Sequence, residues 1–220
     1  MNRTLAGLVL ALCAGAVSAN TYTFSAADTG WVGADGFNNG SNALNNYFAG
    51  YCSTTYCTAS PSEEYRNFFQ FDTAGLVGKV TSAVLQINLH DVQNLQSPQV
   101  NYVLTALTGT SFDALGAGTV YGVYSGGPSD ANQWVDISLD AASFAAIASG
   151  QFGLGGRITD LQPLSTAAQY LFGYSGQSDQ GRAQLLVTTS PVPEPETWAL
   201  LLIGSVAVVA RRKRSAATAC

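Results

Sequence analysis

Tyr65-Arg66-Asn67-Phe68-Phe69-Gln70-Phe71-Asp72 alternates with a period of two. Tyr65, Asn67, Phe69 and Phe71 fall on one face, and Arg66, Phe68, Gln70 and Asp72 fall on the other. Phe68 keeps the second face partly apolar, which predicts a central strand. After a turn at 72–78, Ala83, Leu85, Ile87 and Leu89 alternate with Val84, Gln86 and Asn88. Further strands are predicted at 21–24, 100–107, 119–124, 134–139, 151–154, 169–172 and 183–188, separated by Gly, Pro, Asn and Asp clusters. One segment breaks the alternation. Asp140 reads as an N-cap, 141–148 is alanine-rich, and Gly150 is placed as a stop. Two turns cannot stand alone, so this helix must pack through Phe144 and Ile147. Many short strands and one small helix predict an all-β fold, a two-sheet antiparallel sandwich of jelly-roll type. The glycines of Gly153-Leu154-Gly155-Gly156 lack dinucleotide-loop spacing and predict a bulged strand.

Both ends read as export signals. Arg3, the apolar run 5–17 and the small-x-small close Val17-Ser18-Ala19 have the form of a secretory signal peptide over 1–19. The other end carries Val192-Pro193-Glu194-Pro195, an apolar stretch over 198–210, and Arg211, Arg212, Lys213 and Arg214. As a C-terminal hydrophobic helix, the apolar stretch spans roughly 20 Å at about 1.5 Å per residue, short of a ~30 Å hydrocarbon core. Snorkelling arginines and local thinning can cover that deficit and give a temporary membrane span. The cationic cluster holds its end on the cytoplasmic side. Pro193 and Pro195 keep the approach extended.

This tail resembles the PEP-CTERM sorting signal of exported Gram-negative proteins. The resemblance rests on Val192, Pro193, Glu194 and Pro195, the apolar segment, and the Arg211, Arg212, Lys213, Arg214 close. It implies an exosortase as processing partner for the sorting tail at 191–220, removal of the tail, and delivery to the cell surface or its polysaccharide matrix.

Between the signals, 20–190 is long enough for one domain with its own core. Its bases are Arg66, Lys79, Arg157 and Arg182, set against the fourteen acidic residues less Glu194 and Glu196. A body that acidic has nothing to neutralise a phosphate backbone, so nucleic-acid binding is disfavoured. Two of the four cysteines, Cys13 and Cys220, lie in segments to be removed. Cys52 and Cys57 remain, and an oxidising compartment predicts a short disulfide loop. The segment 66–72 followed by Val80-Thr81-Ser82-Ala83-Val84-Leu85 resembles the paired strands of exported, carbohydrate-binding-like jelly-roll modules. That resemblance implies the sandwich more than any ligand.

Catalytic patterns are sparse. His90 is the only histidine and reads as a solvated strand-edge residue. Gly173-Tyr174-Ser175-Gly176-Gln177 fails the nucleophile elbow at its last position. Glu63, Glu64, Asp72, Asp136 and Asp160 offer carboxylates that sequence cannot pair for glycosidase work. Asp28, Asp35, Asn38, Asn39 and Asn42 supply hard oxygens for a structural calcium, against the alternative of an Asx-turn loop. A crowd of rings near the cysteines, notably Trp31, Tyr47, Tyr51 and Tyr56, offers faces for stacking on extracellular polysaccharide, against the alternative that they cover an open end of the sandwich. The expectation is a non-enzymatic surface or matrix protein, with a glycan-binding module as the alternative and an extracellular hydrolase as a distant third.

Overall fold

The central strand is where the alternation places it. In a computed structural model that describes residues 19–40, 45–53, 63–94, 99–162, 168–174 and 182–190, Glu63–Asp72 is one ten-residue strand. Numbered in chain order, the strands are β1 (Asn20–Ser25), β2 (Asp28–Gly33), β3 (Asn46–Cys52), β4 (Glu63–Asp72), β5 (Val80–Leu89) and β6 (Asp91–Asn94). They continue as β7 (Val100–Ala106), β8 (Val120–Gly126), β9 (Gln133–Leu139), β10 (Gln151–Ile158), β11 (Ala168–Tyr174) and β12 (Gln184–Thr189). All lie in the compact unit Asn20–Thr189.

The strands form two antiparallel sheets. The smaller runs β1-β12-β5-β9, and the larger runs β6-β11-β3-β4-β10-β7-β8 with β2 also on β4. β4 is the hub, bonded to β2 along 65–70, to β10 along 67–72 and to β3 along 63–65. One hydrophobic cluster draws on both sheets: Leu85, Ile87, Ile137 and Leu185 come from the smaller, and Phe69, Phe71, Leu104 and Leu154 from the larger. A sheet must bury its apolar face against another element, and here each sheet buries the other's.

A second, smaller cluster explains Phe68. Val32, Phe68 and Leu115 pack with Leu107 and Phe112, where residues 107–118 lie against β2, β4 and β10. Arg66 ties this loop down. Its guanidinium bonds Glu64 at 2.8 Å, donates to the carbonyls of Phe112 and Leu115, and sits 4.0 Å from the Phe112 ring centre.

The glycines of β10 are not a bulge. Their register with β4 and β7 is unbroken. They are absent side chains: a Cβ at Gly153 would lie 2.7 Å from Leu107, and one at Gly156 would lie 1.8 Å from the Tyr102 hydroxyl. The small helix is also shorter than the sequence predicts. A 3-10 turn, Ala141–Ser143, leads into α1, Phe144–Ile147. Asp140 caps with its backbone carbonyl, which accepts from the Ser143 N–H and hydroxyl, and its side chain makes no cap bond. Ile147 is buried and Phe144 packs against the main cluster, as the pattern requires. Gly150 ends the segment at φ +93°, in the left-handed region that glycine tolerates.

Among the described residues no helix is long and apolar enough to cross a membrane. Residues 1–18 of the predicted signal peptide, the predicted C-terminal helix with its sorting residues, Tyr56, Cys57 and Asn42 lie outside the described residues.

Candidate functional site

The site is built from alternation on β11. Gln169, Leu171 and Gly173 are buried, whereas Tyr170, Phe172 and Tyr174 are only half-buried. Phe48 stands in the same relation on β3, between buried Tyr47 and Ala49. The β3–β11 register sets Phe172 opposite Phe48 and Tyr174 opposite Asn46. Cross-strand ring pairs of this kind stabilise a sheet face by roughly 0.2–1 kcal/mol each.

From that nucleus the rings continue without a break. Phe48 lies 4.9 Å from Tyr170, 6.2 Å from Phe172 and 5.0 Å from Tyr65. Tyr65 meets Trp31 edge-on at 5.3 Å, and Trp31 meets Phe37 at 5.6 Å. At the other end Phe172 and Tyr174 are 4.9 Å apart, and His90 lies 5.0 Å from Tyr174. Eight rings from β2, β3, β4, β11 and two connections thus form one line. Tyr65 is buried, and Phe37 is 58 % exposed. His90 is therefore half-buried against two aromatic rings rather than a freely solvated edge residue.

Of the four rings singled out in the sequence, Trp31 lies in this line. Its indole N–H donates to Asn46 Oδ1 at 2.9 Å. Tyr47 is 1 % exposed, donates its hydroxyl to the Asn88 carbonyl, and packs on Phe69 at 5.0 Å. Burial pushes its phenol well above the ordinary tyrosine range. Tyr51 is 8 % exposed. Stacking on a ligand needs an open ring face, which Tyr47 and Tyr51 lack. The rings that sequence reasoning passed over are Tyr170, Phe172 and Tyr174. Their strand was legible, but their proximity to Phe48 depends on long-range register.

Carboxylates touch the line at two places. Tyr170 donates to Asp91 Oδ2 at 2.8 Å, and Gln93 donates to the same carboxylate. At Tyr65, the Glu63 carboxyl shares a corner with Asp35, whose backbone N–H donates to Glu63 Oε2 at 2.8 Å. Burial, then the Asp35 charge, raise the Glu63 pKa above the ordinary glutamate value. The folded state therefore binds a proton that the unfolded chain releases, so this group's stabilisation is lost as pH rises. We expect Glu63→Gln to flatten the fall in urea midpoint as pH rises above the unfolded glutamate value of roughly 4. Chemical denaturation of both proteins across that range checks it, and parallel curves refute it.

The oxygens considered for calcium are arranged as turns. Asp35 Oδ1 accepts the Phe37 N–H at 2.7 Å, Asn38 Oδ1 accepts the Gly40 N–H at 2.9 Å, and Asn39 Oδ1 accepts the Trp31 N–H at 3.0 Å. Asn39 Nδ2 reaches Asn46, and Asn45 Nδ2 returns to the Asn39 and Gly40 carbonyls. This is Asx-turn chemistry closing the loop onto β3. Asp28 begins β2, at the opposite end of that strand from Asp35. It lines a groove of about 310 Å³ with Val32, Asn38, Gly40, Phe68, Gln70 and Thr110. Among the described residues no three His, Cys, Asp or Glu side chains are grouped to hold a metal.

The other carboxylates weighed for hydrolysis have local partners. Glu64 pairs with Arg66, Asp72 accepts the Ala74 N–H, Asp136 accepts from Gln86, and Asp160 accepts from Asn101.

Residues 191–214 match the PEP-CTERM protein-sorting motif. The chain thus carries the tail of an exported protein that is held in the membrane and handled by an exosortase before cleavage. No curated protein matches the chain.

Proposed function

We propose that this chain is a non-enzymatic β-sandwich of jelly-roll type that works at the cell surface or in the extracellular matrix once an exosortase has removed its tail. The sorting motif over 191–214 is the observation that carries this reading. Val192-Pro193-Glu194-Pro195 marks the approach to the processed tail by its sequence, since proline fixes φ and disfavours a helix on its N-terminal side. The apolar stretch then holds the chain in the bilayer, while Arg211, Arg212, Lys213 and Arg214 retain its end in the cytoplasm. Intact mass of protein recovered from the producing envelope tests this. Mature chains are expected to begin near Asn20 and to lack 198–220, and a mass that retains the basic tail overturns the processing claim.

Cys52 and Cys57 are proposed to close a bridge in that exported form. Cys52 is fully buried at the end of β3. So short a ring contributes roughly 2 kcal/mol in the chain-entropy model. Thiol titration of unfolded, unreduced mature protein is expected to find none, and Cys52→Ser to lower stability by about that amount. Two reactive thiols per chain refute the bridge.

A second reading, that the domain is a glycan-binding module, is favoured by the line of rings from Phe37 to His90. Flat side chains held by strand register offer contact area at little entropic cost. Many copies on one surface would turn modest affinity into retention.

A further inference from the structure

We infer that the ring line binds a polysaccharide bearing free, protonated amino groups, in preference to neutral or anionic glycans. The inference rests on the glycan-module reading and assigns both the face and the ligand chemistry. The residues are Phe37 and Trp31 at one end, Phe48 at the centre, and Phe172, Tyr174 and His90 at the other.

Among the described residues, the ionisable side chains that adjoin Tyr65 and Tyr170 of the line are carboxyls. Asp35 adjoins the line at Tyr65, beside the Glu63 carboxyl whose pKa is raised, and Asp91 adjoins it at Tyr170. Among the described residues, the bonds Asp91 accepts come from Tyr170 and Gln93, both neutral donors that leave its negative charge in place. Aromatic faces add their own negative quadrupole. Arg66, which could offset this field, is paired with Glu64 at 2.8 Å, and the Arg157 guanidinium is turned to the Gly116 carbonyl. A neutral sugar placed here gains stacking alone. A uronate or sulfate meets repulsion in addition. An amino sugar gains stacking, attraction to the carboxylates, and a cation–π contact that grows as water leaves the face.

Cationic character without a sugar ring is the close competitor, so the experiment separates them. Mature protein is titrated at low ionic strength with chitosan oligosaccharides, with the same oligosaccharides fully N-acetylated, and with poly-lysine, following tryptophan fluorescence and calorimetric heat. Chitosan is expected to bind at least about tenfold tighter than either comparison, the order that one desolvated cation–π contact supplies. Raised salt should weaken it. Tyr174→Ala and Phe37→Ala should each weaken chitosan binding several-fold, with Val123→Ser on β8 as a distant control. Asp91→Asn should shrink the preference for the free amine while stacking persists. Circular dichroism and thermal melting of each variant establish that loss of binding is not loss of fold.

Equal binding of the N-acetylated chains overturns the inference and leaves the glycan-module reading standing. Equal binding of poly-lysine, or ring variants that bind like wild type, shows charge attraction alone and overturns it. Failure to bind any glycan overturns both.

Discussion

Gly156→Ala is expected to cost this protein about 3 kcal/mol, the upper part of the usual overpacking range. The added methyl has no space to enter. A Cβ at Gly156 would sit 1.8 Å from the Tyr102 hydroxyl and 2.2 Å from Asn67 Oδ1. Those two atoms are themselves bonded at 2.6 Å in the buried layer between β4 and β7. To admit the methyl, Tyr102 must swing away. That frees a phenol whose pKa burial has already driven up, and it leaves Asn67 Oδ1 in a dry environment without its donor. Stranding a buried polar atom costs roughly 1–3 kcal/mol on its own. Tyr102→Phe/Gly156→Ala is the informative double variant. Removing the hydroxyl relieves part of the clash, so its loss should fall short of the sum of the single losses. Urea unfolding of the four proteins checks this, and a Gly156→Ala midpoint within error of wild type refutes the close-approach account.

The same glycines show where reading the chain stops. Alternation in 65–72 and 83–89 is a local property, imposed by a half-buried pleat, and β4 and β5 emerge at those places. Nine strands and the short helix are visible in this way. β2, β3 and β6 are not. β2 reads Asp-Thr-Gly-Trp-Val-Gly, with two glycines that look like loop chemistry. It is a strand because β4 pairs with it along six residues and because Asn39 secures Trp31 from the side. β6 is four residues long and owes its pairing to β11. Tertiary partners decided these elements, and a single sequence does not show partners. The β10 glycines suffer from the same limit, because close approach of Tyr102 and a bulge both call for glycine. The sorting tail is the opposite case, since its layout of Pro, apolar run and basic cluster is contiguous. Half of the aromatic site was legible as a crowd of rings around residues 31–65. The other half, Tyr170, Phe172 and Tyr174 with His90 packed against them, joins it through a register that matches Phe172 with Phe48.

Tyr47 gives the sharpest test of which rings serve the core and which the surface. It sits one residue from Phe48, yet the pleat sends the two side chains opposite ways. Tyr47→Ala should destabilise the domain by about 4 kcal/mol, the cost of removing a large buried ring. The void would open beside Phe69, and the Asn88 carbonyl would lose the hydroxyl donor from Tyr47. Tyr47→Phe keeps the ring and removes only that donor, so about 1 kcal/mol is expected. Tyr174→Ala, on a half-buried strand end, should cost far less than Tyr47→Ala in stability. Its effect on glycan retention should be the larger of the two, once Tyr47→Ala is measured at a temperature where it remains folded. Thermal melts and binding titrations on the three variants separate the roles. If Tyr47→Phe lost binding while keeping its melting temperature, Tyr47 would belong to the recognition surface despite its burial. Strand alternation would then no longer divide the rings of β3 between core and ligand.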